Sequence, residues 1–203
     1  LISVFPFEEI NAAGQASLGN LLGSVHFQPN IAAVPLSALG AGGSIMRTFG
    51  GADPLGTRLD TRLRAEAAFT DRSDSLGNTA YGRGLVEATL ARGIGRFSAA
   101  LTGAVGSSVG DLPPQRAFYL GGLHTVRGQF ARPDGAGRIG DTFWLGRAEL
   151  GLGRMLAVRP TWFYDVGWAG ARGDFTKPGR PLSGAGIGLS LLDGIARFDV
   201  ARG

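Results

Sequence analysis

Apolar and polar residues alternate, position by position, along much of this chain. Between residues 57 and 70, one set of alternate positions is apolar and the other is charged. The apolar set is Leu59, Leu63, Ala65, Ala67 and Phe69, and the charged set is Arg58, Asp60, Arg62, Arg64 and Glu66. A β-strand points successive side chains to opposite faces and keeps these sets apart, whereas a helix would mix them. The pattern therefore predicts a strand with one apolar and one charged face.

The same period of two recurs elsewhere and predicts an all-β chain of about ten strands. The predicted strands are 1–10, 17–28, 38–50, 57–70, 80–92, 97–109, 142–154, 158–169, 183–192 and 195–202. No helical domain and no linker is predicted between them. We therefore expect residues 1–203 to form a single domain.

The connections between the predicted strands alternate in length. The long connections are 71–79, 110–141 and 170–182, and the short ones lie at 93–96, near Met155 and at Asp193-Gly194. This alternation is typical of an antiparallel, up-and-down transmembrane β-barrel with short periplasmic turns and long outer loops. A strand of about 12 residues, tilted by ~40°, spans roughly 30 Å, which is one hydrocarbon core. The prediction is thus a barrel in a bacterial outer membrane, in contact with its lipid.

Aromatic residues offer a further sign of a membrane-spanning barrel. Trp144, Trp162, Tyr164 and Trp168 fall within or near the predicted strands. Tryptophan and tyrosine are enriched where a barrel meets the membrane–water interface. We therefore predict these four residues as candidates for an aromatic girdle.

Composition argues against several other classes of protein. No run of about 18 apolar residues is present, so no transmembrane helix is predicted, and residues 1–10 lack the features of a secretory signal. The absence of cysteine and the presence of only two histidines, His26 and His124, predict no metal site and no cofactor. The net charge is +4, but the arginines are spread singly and Lys177 is the only lysine. We therefore predict no nucleic-acid partner.

Two glycine patterns have the spacing of catalytic or cofactor motifs. Gly106–Gly110 has a Gly-x-Ser-x-Gly spacing, but a serine hydrolase needs a following helix, which Pro113-Pro114 forbids. Gly184-x-Gly186-x-Gly188 is not followed by a predicted helix, so it is not a dinucleotide loop. Small residues on a lumen face beside a folded-in loop explain this run better. We predict that the chain is not an enzyme.

The longest connection, residues 110–141, carries a distinctive motif. The run Phe118-Tyr119-Leu120-Gly121-Gly122 is followed by Val126-Arg127-Gly128. This combination resembles the BamA–TamA–FhaC superfamily of outer-membrane insertases and translocases (bacterial surface antigen barrels). Members of that superfamily carry an aromatic-Leu-Gly-Gly run and a Val-Arg-Gly-aromatic motif in a long outer loop. The resemblance extends through Arg147–Leu150, Trp162–Gly167, 184–192 and 195–201, and it covers about residues 110–203.

The resemblance implies that the loop folds into the barrel lumen. It also implies that Arg127 is held by an acidic residue on each of the next two strands, here Glu149 and Asp165. Alternation supports this independently, because the apolar even positions of 158–169 leave Asp165 pointing inward, and Glu149 lies opposite an apolar set. Two inward carboxylates on adjacent strands make a fitting receptor for one guanidinium. The predicted site residues are Gly121, Gly122, Val126, Arg127, Gly128, Glu149 and Asp165.

One position of the motif departs from the superfamily pattern. Members usually have Phe or Tyr directly after Arg-Gly, whereas this chain has Gln129, with Phe130 next. The sequence therefore does not predict how the tip of the loop packs. The role that the resemblance implies for Arg127 is unchanged.

Strand parity and the resemblance both predict a partial barrel. If 71–79 is an outer loop, the last predicted strand ends at the outer face, whereas barrel termini normally lie on the periplasmic side. By resemblance, full-length members have about sixteen strands and amino-terminal periplasmic domains, and their last strand pairs weakly with the first to form a lateral gate. Open edges would leave unpaired backbone groups in lipid. We therefore expect this chain to be the carboxy-terminal part of a barrel, with strands missing at both ends.

The predicted function is to assemble outer-membrane proteins or to transport polypeptide across the outer membrane. The implied partners are an unfolded polypeptide client and periplasmic accessory proteins. Two other functions remain open: a passive pore, and a membrane anchor for a fused passenger enzyme. A soluble β-sandwich is a further possibility, and it would stay in solution without detergent.

Overall fold

A computed structural model describes residues 2–9, 35–51, 56–72, 77–122, 124–129, 138–152, 158–191 and 196–203. These residues include short 3-10 turns at Pro114–Arg116 and Arg172–Asp174. The strands are β1 (Ile2–Glu9), β2 (Leu36–Phe49), β3 (Thr57–Arg72), β4 (Asn78–Ile94), β5 (Phe97–Gly110), β6 (Phe118–Leu120), β7 (Arg138–Gly140), β8 (Thr142–Leu152), β9 (Val158–Gly170), β10 (Leu182–Leu191) and β11 (Ala196–Arg202). Among the described residues, no helix is long and apolar enough to cross a membrane.

Nine of these strands form one sheet in the order β1-β2-β3-β4-β5-β8-β9-β10-β11, and all neighbours are antiparallel. The strands β6 and β7 form a separate pair within the connection from β5 to β8. This confirms the predicted all-β, antiparallel, up-and-down fold. In the part of the chain that the structure describes, β1 and β11 do not pair with each other, so closure is not observed there. The predicted strand 17–28 and the turns near Met155 and at Asp193-Gly194 lie outside the described residues.

The two faces of the nine-stranded sheet differ in chemistry. We call the face that carries Leu63, Val86 and Val105 the outer face, and the opposite face the inner face. The register places Leu63 beside Val86 and Val86 beside Val105, so apolar side chains form rows across the strands. The exposed apolar residues of the outer face come from eight strands and include Leu39, Ile45, Phe69, Leu101, Leu150, Trp162, Tyr164, Ile187, Phe198 and Val200. An exposed apolar surface of this extent indicates contact with a membrane or another apolar partner.

The sheet curves toward its inner face. A cavity of about 410 Å³ is lined by residues from seven strands, from Arg58 on β3 to Arg197 on β11. These two strands are six positions apart, so in a flat sheet they would be separated by roughly 29 Å. Because both line one cavity, the sheet must curl strongly, as the wall of a barrel does.

The four aromatic girdle candidates do not share one environment. Trp162 and Tyr164 are 46% and 52% exposed on the outer face of β9. Trp168 is only 2% exposed, and its ring meets that of Phe175 at a centroid distance of 6.3 Å. The prediction for Trp168 was therefore wrong, because the connection after β9 brings Phe175 against it.

Candidate functional site

The long connection from β5 to β8 packs against the inner face of the sheet. Its side chains Phe118, Leu120 and Val126 are buried, and Leu120 and Val126 are 1% and 0% exposed. They form one cluster with the sheet residues Ala104, Phe143, Leu145, Ala169 and Leu182. Burial of three large apolar side chains contributes several kcal/mol, at about 1.5–3 kcal/mol each. The cluster therefore holds the loop on the sheet.

Two residues of the Gly-x-Ser-x-Gly segment help to seat the loop. A Cβ on Gly106 would lie 2.5 Å from the ring of Phe143 and 2.8 Å from that of Phe118, so glycine leaves room for both rings. The hydroxyl and the backbone N–H of Ser108 both donate to the carbonyl oxygen of Asp141, at 3.0 and 2.9 Å. In this structure the segment thus supports the loop.

The start of the loop is held by a polar group from β3 and β4. Arg83 donates from Nη1 to the carbonyl oxygen of Arg116, and its guanidinium carbon lies 5.5 Å from the centre of the Phe118 ring. Glu66 on β3 orients Arg83 through an ion pair of 3.2 Å, and it also accepts a hydrogen bond of 3.3 Å from the hydroxyl of Tyr81. The loop is therefore held at its start by β3 and β4.

The predicted motif residues build a compact turn. Gly121, Gly122 and Gly128 have φ angles of 125°, 101° and 82°, which residues with a Cβ rarely adopt. The N–H of Gly121 donates to the Thr125 hydroxyl at 2.8 Å, and the N–H of Gly122 donates to the carbonyl oxygen of Gln129 at 2.6 Å. The turn closes on itself and leaves Val126 and Arg127 pointing into the sheet.

Arg127 lies at the centre of the site, with a side chain only 2% exposed. Its Nε and Nη2 donate to the two carboxylate oxygens of Asp165, each at 2.6 Å, and its backbone N–H donates to the same carboxylate at 3.1 Å. Its Nη1 donates to Oε1 of Glu149 at 2.6 Å. Forked pairing of this kind is the strongest that a guanidinium makes with a carboxylate. The structure thus brings together Arg127, Glu149 and Asp165.

Three further charged residues surround this group. Asp199 on β11 lies 3.5 Å from Nη1 of Arg127. Arg197 on the same strand donates to both oxygens of Glu149 at 3.1 Å and to Asp199 at 2.8 Å. Arg147 lies 3.4 Å from Asp165 and donates to the carbonyl oxygen of His124 at 3.4 Å. Together with the first group they bring three guanidinium groups and three carboxylates into contact, and we call these six residues (Arg127, Arg147, Glu149, Asp165, Arg197 and Asp199) the ion cluster.

The carboxylates of the ion cluster compensate the positive charge of the buried Arg127 guanidinium. Burial alone would lower the pKa of Arg127, but the hydrogen bonds and the negative charges of Asp165 and Glu149 outweigh it and raise the pKa above its ordinary value. The guanidinium also lies 3.6 Å from the centre of the Phe163 ring, which adds a cation–π contact. Arg127 therefore stays charged at any physiological pH.

The glycine run of β10 shapes the floor beneath the loop. A Cβ on Gly184 would lie 1.8 Å from the carbonyl oxygen of Arg127, and one on Gly186 would lie 2.1 Å from the carbonyl oxygen of Val200 and 2.5 Å from the Phe163 ring. A Cβ on Gly188 would lie 2.1 Å from a carboxylate oxygen of Asp199. Each glycine therefore admits one part of the site: the loop backbone, the aromatic ring or the third carboxylate.

Gln129, which departs from the superfamily pattern, makes polar contacts at the tip of the loop. Its side-chain amide donates to the carbonyl oxygen of Ser183 on β10 at 2.7 Å. A Cβ on Gly203 would lie 2.4 Å from that same amide, so the tip also reaches the end of β11. Phe130, the next residue, lies outside the described part of the chain.

Sequence reasoning named three members of the ion cluster and missed the other three. Arg197 and Asp199 occupy the polar face of their strand, so alternation did place them inward. No pattern in the sequence indicated that β11 would come within reach of Glu149 on β8. The contacts of Phe163 with Arg127 and of the Gln129 side chain with Ser183 were also not predicted, because they depend on where the loop packs on the sheet.

The site offers no evident place for a metal ion. Among the described residues, no group of three or more His, Asp or Glu side chains is arranged to bind one. The carboxylates of the ion cluster are instead engaged by arginines.

Comparison with known proteins finds few matches. No protein-family profile matches the chain, and a search of curated proteins also finds no match. Among solved structures, the chain is similar to the crystal structure of BamA from Haemophilus ducreyi lacking POTRA domains 1-3, with 14% identity and a TM-score of 0.49. The match covers 99% of this chain and 55% of that one. The chain thus spans about half the length of that structure.

Proposed function

We propose that this chain is the loop-bearing part of an outer-membrane β-barrel that assembles outer-membrane proteins or transports polypeptide across the membrane. In this proposal residues 1–203 are one partial barrel domain, and residues 110–141 are a loop folded into its lumen. The partners are outer-membrane lipid, an unfolded polypeptide client and periplasmic accessory proteins. The sequence motifs of residues 110–203 that resemble the insertase–translocase superfamily support the same assignment.

The observation that carries the proposal is the buried pairing of Arg127 with Asp165 and Glu149. A passive pore needs an open lumen. A loop that is held on the inner face by the ion pairs of a buried guanidinium would obstruct that lumen. A buried ion pair is also weak evidence for stability as such, since apolar residues of similar size often serve equally well. The buried ion pairs of Arg127 instead hold the loop in one specific position. Such positioning is expected of a barrel whose loop takes part in its function.

The outer face supports the membrane part of the proposal. Many large apolar side chains on this face are more than 40% exposed, for example Phe69 at 74% and Val200 at 73%. In water, exposing such a surface would favour aggregation, whereas lipid tails would cover it. Apart from Asp71, Arg92 and Arg202 near the strand ends, the charged residues of β3, β4, β8 and β11 lie on the opposite face.

Deleting the loop tests the function directly. Removal of residues 115–135 from the full-length protein should abolish assembly of outer-membrane proteins or secretion of the client, in cells that depend on the deleted variant. A passive pore would instead show higher conductance in planar bilayers with no defect in assembly or secretion. That second result, with normal surface levels of the variant, would overturn the proposal. A matched deletion in the 170–182 connection controls for loop shortening alone.

A substitution on each face tests the membrane assignment. Leu101 is 57% exposed on the outer face of β5, and Thr89 lies on the inner face of β4 at nearly the same height, next to Asp60. Leu101→Arg should destabilise the protein folded in lipid vesicles by about 2–4 kcal/mol, whereas Thr89→Arg should cost much less because it faces a carboxylate. Urea titration in vesicles measures both values. Equal effects of the two substitutions would contradict a lipid-facing outer surface.

A further inference from the structure

The cavity of about 410 Å³ adjoins the ion cluster through Glu149 and Arg197, and it extends toward the end of the sheet opposite the loop. Its lining comes from the first residues of β3, β5, β9 and β11 and from the last residues of β4, β8 and β10. We call this the turn end, because the short connections lie there. The sequence pattern predicts short connections on the periplasmic side, so in the proposed barrel the turn end faces the periplasm.

The charges that line the cavity are mostly positive. Of the described residues, four arginines line the cavity, against a single carboxylate, that of Glu149. Glu149 is already engaged by Arg127 and Arg197 in the ion cluster. Guanidinium groups thus outnumber carboxylates four to one among these lining residues, while Asp60 and Asp199, which are not part of the lining, pair with Arg58 and Arg197. The arginines are Arg58, Arg92, Arg159 and Arg197.

Arg58 keeps capacity for a further partner. It pairs through Nε with Asp60 at 2.8 Å, and its side chain is 57% exposed. A guanidinium has five N–H donors, so its terminal nitrogens can still bind an oxyanion. Arg159 lies across the cavity on β9, on the same inner face as Thr161 and Asp165.

The rest of the lining consists largely of small residues. Glycine, alanine and serine positions leave space for a chain to approach the wall, and they include Gly51, Gly56, Gly93, Ser98, Ala99, Ala100, Gly151 and Ser190. Among the residues that the structure describes, none that lines the cavity has a long aliphatic or aromatic side chain that would hold a lipid acyl chain. The volume is within the usual range for ligand sites. An extended peptide fits this surface better than a lipid does.

We propose that the cavity at the turn end binds acidic segments of a polypeptide client, with Arg58 and Arg159 as the residues that contact its carboxylates. This inference rests on the proposed function, and it names the charge of the substrate segment. Small lining residues admit the extended chain, and the excess of guanidinium groups selects carboxylates over amides and ammonium groups.

The test measures binding of a fluorescent glutamate-rich peptide to the full-length protein in detergent, at low and moderate salt. The wild type should bind it at least tenfold more tightly than a glutamine-rich peptide of the same length, and salt should weaken the binding. The double variant Arg58→Gln/Arg159→Gln should lose this preference, and Arg58→Lys/Arg159→Lys should keep most of it. Arg62→Gln/Arg64→Gln is the matched control, because these residues share the inner face of β3 but do not line the cavity.

The possible outcomes separate this inference from the proposed function. Equal binding of the two peptides, or unchanged binding by the glutamine variant, would overturn the inference. Binding of glycerol phosphate by the wild type without binding of the acidic peptide would also overturn it, in favour of a lipid headgroup site. Heat-modifiability of every variant shows that the barrel is folded. If the loop deletion blocks assembly or secretion while no acidic peptide binds, the proposed function stands and this inference falls.

Discussion

Arg127→Ala is expected to destabilise the full-length barrel by about 3–5 kcal/mol and to release the loop from the inner face. The substitution leaves Asp165, which is 0% exposed, as a buried carboxylate without its main partner. Arg147, at 3.4 Å, is too distant to replace two hydrogen bonds of 2.6 Å. The substitution of Arg127 also removes the cation–π contact between its guanidinium and the Phe163 ring.

The measurement is urea unfolding of the barrel in detergent, together with protease cleavage within residues 111–141. Arg127→Lys should recover only part of the stability, because an ammonium cannot pair with both oxygens of Asp165 and with Glu149 at once. The double variant Arg127→Ala/Asp165→Ala should cost less than the sum of the single variants, because it leaves no unpaired charge.

A matched control exists on the same inner face. Arg58 also pairs with an aspartate, Asp60, but that pair is exposed to solvent. The substitution Arg58→Ala, which removes this exposed ion pair, should therefore not measurably shift the unfolding transition. If Arg127→Ala lowered the free energy of unfolding as little as Arg58→Ala does, the ion cluster would not determine the position of the loop.

Gly184→Ala is expected to displace the loop almost as completely as loss of Arg127. The added Cβ would lie 1.8 Å from the carbonyl oxygen of Arg127, far inside any normal contact distance. The oxygen cannot move away cheaply, because the N–H and the side chain of the same residue are bound to Asp165. The φ of Gly184 lies outside the left-handed region, so the whole effect comes from lost space.

The control for this prediction is Gly103→Ala on β5. A Cβ at that position meets nothing within 4 Å, so the same chemical change should alter stability by no more than about 1 kcal/mol. Protease sensitivity of residues 111–141 and the assembly or secretion phenotype should change only in Gly184→Ala. A protected loop in Gly184→Ala would show that the loop backbone does not rest on β10 as described.

Much of the fold follows from alternation along single strands. The period of two over residues 57–70 is a local property, because backbone geometry alone sends successive side chains to opposite faces. It therefore predicted which residues of β3 and β9 are apolar and outward without any knowledge of strand pairing. The inward direction of Glu149 and Asp165 follows from the same rule.

Contacts between strands that are not neighbours could not be predicted in this way. Arg197 on β11 reaches Glu149 on β8 across two intervening strands, which requires a curved sheet and a floor of glycines on β10. Curvature results from the twist and closure of many strands together, and no single segment encodes it. The cavity at the turn end depends on the same curvature.

The long loop also combines features that the local sequence predicts with contacts that depend on the folded sheet. The local sequence alone places glycines able to adopt positive φ before Arg127 and two inward-facing acidic residues on the next strands. The approach of Asp199 and Arg197 to this group, and the binding of Gln129 to β10, depend instead on how the whole sheet curves and where the loop packs. The contact between Phe175 and Trp168 depends on the same packing. Side-chain direction is set within each strand, whereas the path of a loop depends on every surface that it can pack against.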